Sequence, residues 1–351
     1  MNWKYWWWKL VTIVIFIYVF SAGLLIPLKP GIEEILPSRG RAGEKLGLQI
    51  KAYNTSFTNG SIEVFIKSRD SYWINTKDLN IADDRTLSAN FNVPNFLPDA
   101  SSLSQYSIIV SSSYDGAFVI PGKLILSQDS VNLTEAQRLW SSGDPQFASL
   151  SKMKFPYRNI LYETIRNTFF HVSLWFAMFA LLGASVYHSY KYLTTNFLDH
   201  DMRAYAQVRT AILFGLLGLA TGSLWARFTW GSWWTNDVKL NMAALSMLIY
   251  AAYLILRAGI SEIDRKARIS AAFNVFALIA IVPLIFILPR LTDSLHPGNG
   301  GNPAFGSEDM DNSLRKVFYP AVTGFIMLGF WLSGLLYRAE KLHLRIEDEV
   351  I

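Results

Sequence analysis

The run TGSLWARFTWGSWWTNDVKL, residues 221–240, lies between two long apolar segments and packs Trp225, Trp230, Trp233 and Trp234 into ten residues, with Arg227, Asp237 and Lys239 close by. Apolar segments of that length are transmembrane candidates, so the stretch between them reads as a loop at a membrane surface. Two readings of the tryptophans stay open on composition alone. One is an aromatic belt, since tryptophan concentrates at both membrane interfaces for its half-apolar ring. The other is a platform for a flat apolar ligand, because belt residues come singly or in pairs at a helix end, not four together with glycine and an acid.

The whole chain supports a membrane setting. Of its 351 residues 51% are hydrophobic and 15% aromatic, with only 17% charged. That is too apolar for an ordinary soluble domain and too charged for a bare helical bundle, whereas a membrane protein carrying one soluble segment fits both numbers. A net charge of +5 does not argue for nucleic acid. The chain has no cysteine, which excludes disulfides, a thiolate nucleophile and a Cys-ligated metal.

Upstream, residues 5–26 (YWWWKLVTIVIFIYVFSAGLLI) form a first apolar run, preceded by Lys4 and interrupted by Lys9. A cleaved signal peptide is the rival reading, with Ser21, Ala22 and Gly23 near a cleavage site. The run is long for that, and the cluster of Trp6, Trp7 and Trp8 suits an interface anchor, so a retained helix is expected. Residues 27–135 then alternate with period two in LGLQIKAYN (46–54), SIEVFIKS (61–68) and SQYSIIVSSS (104–113). With turn signals every 8–12 residues, this reads as a small antiparallel β-sandwich. It has no histidine and no catalytic arrangement, and is expected to act in docking or spacing. Residues 136–168 read as a linker and an amphipathic turn of helix at the interface, where Lys154, Arg158 and Arg166 face headgroups.

Five further apolar runs follow, at about 169–190, 210–225, 240–257, 270–288 and 318–337. Counting the first run, the third span (210–225) is short enough for a tilted or partly re-entrant segment, and Pro283 in the fifth (270–288) implies a kink. The expected fold is therefore membrane α-helical: six transmembrane helices with a soluble antiparallel β-sandwich inserted between the first and second. The divisions are 1–27, 28–135, 136–168, 169–338 and 339–351. Lys191, Arg203 and Arg209 fall in one short loop, Arg257, Arg265, Lys266 and Arg268 in another, and Arg338, Lys341 and Arg345 in the tail. The positive-inside rule assigns these loops and both termini to the cytoplasm, and the β-domain, the Trp-rich loop and the 289–317 loop to the outer face.

That topology sorts the histidines. His171 opens the second span on the outer side and His296 lies in the outer loop before the last. His188, 17 residues after His171, is about 26 Å further along a continuous helix, with His200 and His343 beyond it. Each outer histidine is either an ordinary interfacial residue or a ligand for a metal centre.

WGSWWTND with GSLWARFTWG before it resembles the tryptophan-rich WWD signature of the haem-handling proteins of cytochrome c assembly, and within them the CcmC haem-delivery family. The family has an aromatic residue where this chain has Asn236. FFHVSLW (169–175) and DSLHPG (293–298) match the contexts of the family's two outer histidines. The resemblance spans roughly 160–340 and, more weakly, the first span, and does not extend to the β-domain. It implies non-covalent haem b held by His171 and His296 as axial ligands. Trp225, Trp230, Gly231, Trp233, Trp234 and Asp237 would form the platform, with Arg227 and Lys239 suited to the propionates. With no cysteine, thioether attachment of haem to this chain is excluded.

The implied role is haem delivery at the outer face of the cytoplasmic membrane to a CcmE-type chaperone, alongside an ATP-binding cassette complex. The chain has no P-loop of its own, so any ATP hydrolysis belongs to another chain. Whether it supports a lyase step or only presents haem is left open. One rival is a CcsA-type synthase joining haem directly to apocytochrome, which would gain from more spans and a second histidine pair within the membrane. Another is a membrane-anchored receptor or adhesin working through the β-domain. A third, an electron-transfer protein, wants histidine pairs spanning the bilayer.

Overall fold

A computed structural model describes residues 6–143, 145–147, 153–296 and 310–350. Lys4, part of the 136–168 linker, and residues 297–309, including Pro297 and Gly298, lie outside the described residues. The chain divides into two compact units, one of residues 27–162 and one of residues 1–26 with 163–351.

Helix α1 (Trp7–Leu25) is apolar beyond Lys9 in its first turn apart from Thr12 and Ser21, and stops where Pro27 disfavours helical geometry at Ile26, whose backbone is extended. The β-rich unit follows. Its strands are β1 (Gly31–Leu36), β2 (Arg39–Arg41), β3 (Lys45–Tyr53), β4 (Ile62–Lys67), β5 (Tyr72–Thr76), β6 (Leu79–Ile81), β7 (Thr86–Asn92), β8 (Leu103–Ser112) and β9 (Gly116–Ser127). A short helix α2 (Leu133–Leu139) and strand β10 (Ser141–Ser142) complete it. The strands form one sheet in the order β1-β3-β7-β6 and another in the order β10-β5-β4-β8-β9-β2. Strand β3 alternates strictly, turning Leu46, Leu48, Ile50 and Ala52 inward to share a core with Val64, Ile66, Ile108 and Val110 of the other sheet. Pairing is antiparallel as expected, except that β2 runs parallel to β9.

Among the described residues six helices are long and apolar enough to cross a membrane. After α1 these are Tyr162–Thr195, Leu198–Trp230, Val238–Ala258, Ile263–Leu291 and Asn312–His343. The second begins as a 3-10 turn (Tyr162–Asn167) and a π-turn (Thr168–Val172) before regular α3 (Ser173–Thr195). The third is α4 (Leu198–Trp230) and the fourth α5 (Val238–Ala258). The fifth comprises α6 (Ile263–Val282), a π-turn (Pro283–Ile287) that absorbs the proline, and α7 (Leu288–Leu291). The last is α8 (Asn312–Val350).

The third span departs most from the sequence reading. It is neither short nor re-entrant: α4 has 33 residues, a rise of about 50 Å against a hydrocarbon core of about 30 Å. Its charged first turns read as loop because charge interrupts the apolar run, but those charges are paired. Asp201 accepts two hydrogen bonds from Arg257 at 2.7 and 2.5 Å, and Asp199 accepts from Arg203, Tyr337 and Lys341. In the bundle core Asn274 donates to Ser185 and Ser189 at 2.9 Å each and accepts from Tyr250 at 3.2 Å, so the buried amide joins α3, α5 and α6.

Candidate functional site

Residues 221–240 are not the open loop the sequence suggested. Residues 221–230 continue α4, so Trp225 and Trp230 stand on the helix itself, about 7.5 Å apart along its axis. Gly231 ends the helix at φ +79°, a left-handed conformation that carries no Cβ penalty in glycine. The chain then folds back: Arg227 Nη1 donates to Gly231 O, and Ser223 Oγ donates to Trp233 O at 2.7 Å. Trp233 and Trp234 are left exposed, at 58% and 42%. Asn236, where the family has an aromatic residue, accepts from Asn241 Nδ2 at 2.9 Å, while Asn241 Oδ1 accepts from Trp234 Nε1 at 3.1 Å. The departure thus anchors one tryptophan instead of adding another ring.

Asp237 is buried and begins α5, its Oδ1 accepting from Lys239 N at 2.9 Å and Leu240 N at 3.3 Å. Oδ1 also lies 3.0 Å from His296 Nδ1, and Oδ2 accepts from Leu295 N at 2.8 Å. Burial alone would raise the Asp237 pKa. Hydrogen bonds from Ser294 and Leu295 N, with the neighbouring His296, outweigh that and hold the carboxyl below its ordinary range. His296 is shifted down by burial, which outweighs the opposing pull of Asp237, so its imidazole is neutral at pH 7. The ring meets Trp230 edge-on at 4.9 Å.

His171 sits in the π-turn before α3, with Nδ1 3.0 Å from Gly218 O and 3.2 Å from Thr221 Oγ1. A carbonyl only accepts, so Nδ1 carries the proton and Nε2 keeps its lone pair. The ring approaches α4 closely because residue 222 is glycine: a Cβ there would lie 2.6 Å from His171 Cε1. Trp175 and Trp225 face it edge-on at 6.2 and 5.8 Å. The sequence reading missed Thr221 and Gly222 as the seat of this ring, and Trp175, one turn after it, was the available signal.

His171 and His296 are thus both held through Nδ1, and neither Nε2 has a hydrogen-bond partner among the described residues. That is how an imidazole ligand is oriented toward a metal. The buried Trp225 Nε1 and Thr235 Oγ1, beside the same elements, also lack a hydrogen-bond partner among the described residues. Two such nitrogens, tryptophan faces and the exposed Arg227 fit the chemistry of haem: iron, apolar plate and anionic propionates.

The spacing argument did not anticipate a second histidine pair. His188 on α3 and His200 in the first turn of α4 meet with their Nδ1 atoms 3.0 Å apart, across the tight turn at Asn196. Their rings are bonded to each other, which leaves no room for a porphyrin between those nitrogens.

A family model described as Heme exporter protein C matches residues 154–350. The chain is 27% identical to Heme exporter protein C of Bradyrhizobium diazoefficiens over 190 residues, 53% of this chain and 70% of the relative. It is 27% identical to Heme exporter protein C of Haemophilus influenzae over 134 residues, 37% and 52% of the two chains. It is 34% identical to Cytochrome c biogenesis protein CcsA of Prochlorococcus marinus over 85 residues, 24% and 27%. The chain thus spans about half the length of the Haemophilus relative and about a quarter of the CcsA protein. The matched residues of the family model begin at 154, beyond the strands of the β-rich unit.

Proposed function

The chain belongs to the Heme exporter protein C family, and from that premise we propose that it holds haem b non-covalently at the outer membrane face and delivers it to a haem chaperone for c-type cytochrome biogenesis. The observation that carries this reading is the pair of outer histidines, each fixed through Nδ1 with Nε2 left for iron, beside one tryptophan-bearing helix end. His171 and His296 would hold the iron through Nε2. Trp225, Trp230, Trp233 and Trp234 supply the apolar faces, and Gly231 the turn that presents the last two. Arg227 has donors beyond the one engaged with Gly231, and with Lys239 it receives the propionates.

The two exposed tryptophans suit delivery better than storage, since a plate resting on them is open to an acceptor from the aqueous side. The acceptor is a CcmE-type chaperone, and an ATP-binding cassette complex completes the assembly in the cytoplasmic membrane. Both termini are cytoplasmic, and the β-rich unit and Trp-rich loop face the periplasm.

The test is complementation in bacterial cells that lack their own haem exporter protein C, reading haem on the chaperone. Wild type is expected to restore loading, and His171→Ala and His296→Ala, expressed equally, are expected not to. Equal loading by all three would overturn the proposal. A direct synthase of the CcsA type is a second reading, favoured by the shared 85-residue segment. It expects haem on apocytochrome in cells without the chaperone.

A further inference from the structure

An aspartate at the start of a helix needs only the first-turn backbone N–H groups as partners, and serine, threonine or asparagine would serve there equally well. Asp237 does more than cap. It takes Leu295 N on Oδ2 at 2.8 Å and His296 Nδ1 on Oδ1 at 3.0 Å, from a segment 58 and 59 residues further along the chain. The Asp237 side chain is 1% exposed, so water does little to dilute its field at the ring.

We propose that Asp237 is the positioning residue of the haem ligand: it docks the His296 segment on the start of α5, turns Nε2 toward the iron, and raises the donor strength of that nitrogen with its charge. This rests on the reading of His296 as a haem ligand. A full negative charge behind an imidazole makes its far nitrogen a better donor, and outer partners of this kind are worth about 10–100-fold in metal affinity. Ferric haem, with one more positive charge than ferrous haem, responds more strongly. Asp237 therefore lowers the reduction potential of the bound iron, an effect that a cap or a packing contact does not produce.

The experiment is haem titration and redox potentiometry of the full-length protein in detergent, comparing wild type with Asp237→Asn. Asparagine keeps one accepting oxygen for the cap and for His296 Nδ1 and removes the charge together with the second acceptor, which takes Leu295 N. The expected result is a 10–100-fold loss of ferric affinity and a smaller loss of ferrous affinity. A tenfold difference between the two losses appears as a positive shift of about 59 mV. Asp237→Ser, which caps but does not span the gap to the ring, is expected to lose affinity at least as far.

Each substitution is repeated in a His296→Ala background, where the effect of Asp237→Asn on affinity should vanish because its intermediary is gone. An unchanged potential in Asp237→Asn, or an effect that persists undiminished without His296, overturns the assignment while leaving haem binding itself intact. A wild-type protein that takes up no haem overturns the underlying reading and this inference together.

Discussion

His296 and Asp237 titrate in different windows, and both make the protein lose stability in acid. Burial holds the His296 pKa below its ordinary value, so between about 6.5 and its lowered pKa the unfolded chain binds a proton that the folded chain refuses. Stability then falls as pH drops through that window. Asp237 is held below the ordinary carboxylate range, and its contribution is present above about 3.9 and lost as pH falls through its folded value. Thermal unfolding of the haem-free protein is expected to be flat from pH 8 to 7 and to weaken below about 6.5, with a shallower slope in His296→Gln. A separate residue-scale test concerns Gly222. The Cβ added by Gly222→Ala meets His171 Cε1 at 2.6 Å, so the ring must move. Haem affinity, measured by titration, is expected to fall roughly tenfold, the lower end of what disturbed ligand orientation costs. Unchanged affinity would mean that the seat of His171 is irrelevant to binding.

Element by element, the sequence was read best where apolar runs are unbroken. The existence of six spans and the period-two strands of the β-rich unit follow directly from hydropathy and alternation, because burial in lipid or in a sheet leaves that trace. The ends of α4 were not legible. Asp199, Asp201 and Arg203 look like a solvated loop until Arg257, Tyr337 and Lys341 arrive from helices far along the chain to pair with Asp199 and Asp201. The Trp-rich run looked like a loop for a related reason: a helix that outruns the hydrocarbon core carries interfacial residues, and composition does not separate these from loop. The sequence singles out His171, His296 and the tryptophans as candidates, but not the hold of Asp237 on His296, since a contact between residues 59 apart leaves no local signal. The cysteine-free chain offers a direct test of orientation. A single Ser232→Cys, in the turn after α4, is expected to react with a membrane-impermeant maleimide from the periplasmic side of intact cells. Ser261→Cys, between α5 and α6, is expected to react only after permeabilisation. The reverse pattern would invert the topology.

At the scale of the molecule, the proposed haem site is built entirely from elements of the helical unit, and the family match covers that unit from residue 163 to 350, without α1, and none of the strands. Replacing residues 28–161 with a short flexible linker is accordingly expected to leave haem affinity within about twofold of wild type, the ordinary context-dependence of such values. If haem binding were lost on excision yet unaffected in Trp233→Ala and His296→Ala, the protein would act through its β-rich unit, as a receptor would. The central claim is two-point ligation of haem at the outer end of α4. Its most direct measurement is the visible absorption spectrum of the purified protein titrated with haem, with His171→Ala and His296→Ala alongside. The expected result is a six-coordinate Soret band in wild type and a weakened or shifted band in each variant. Spectra indifferent to both substitutions, or no haem bound by wild type, would contradict it.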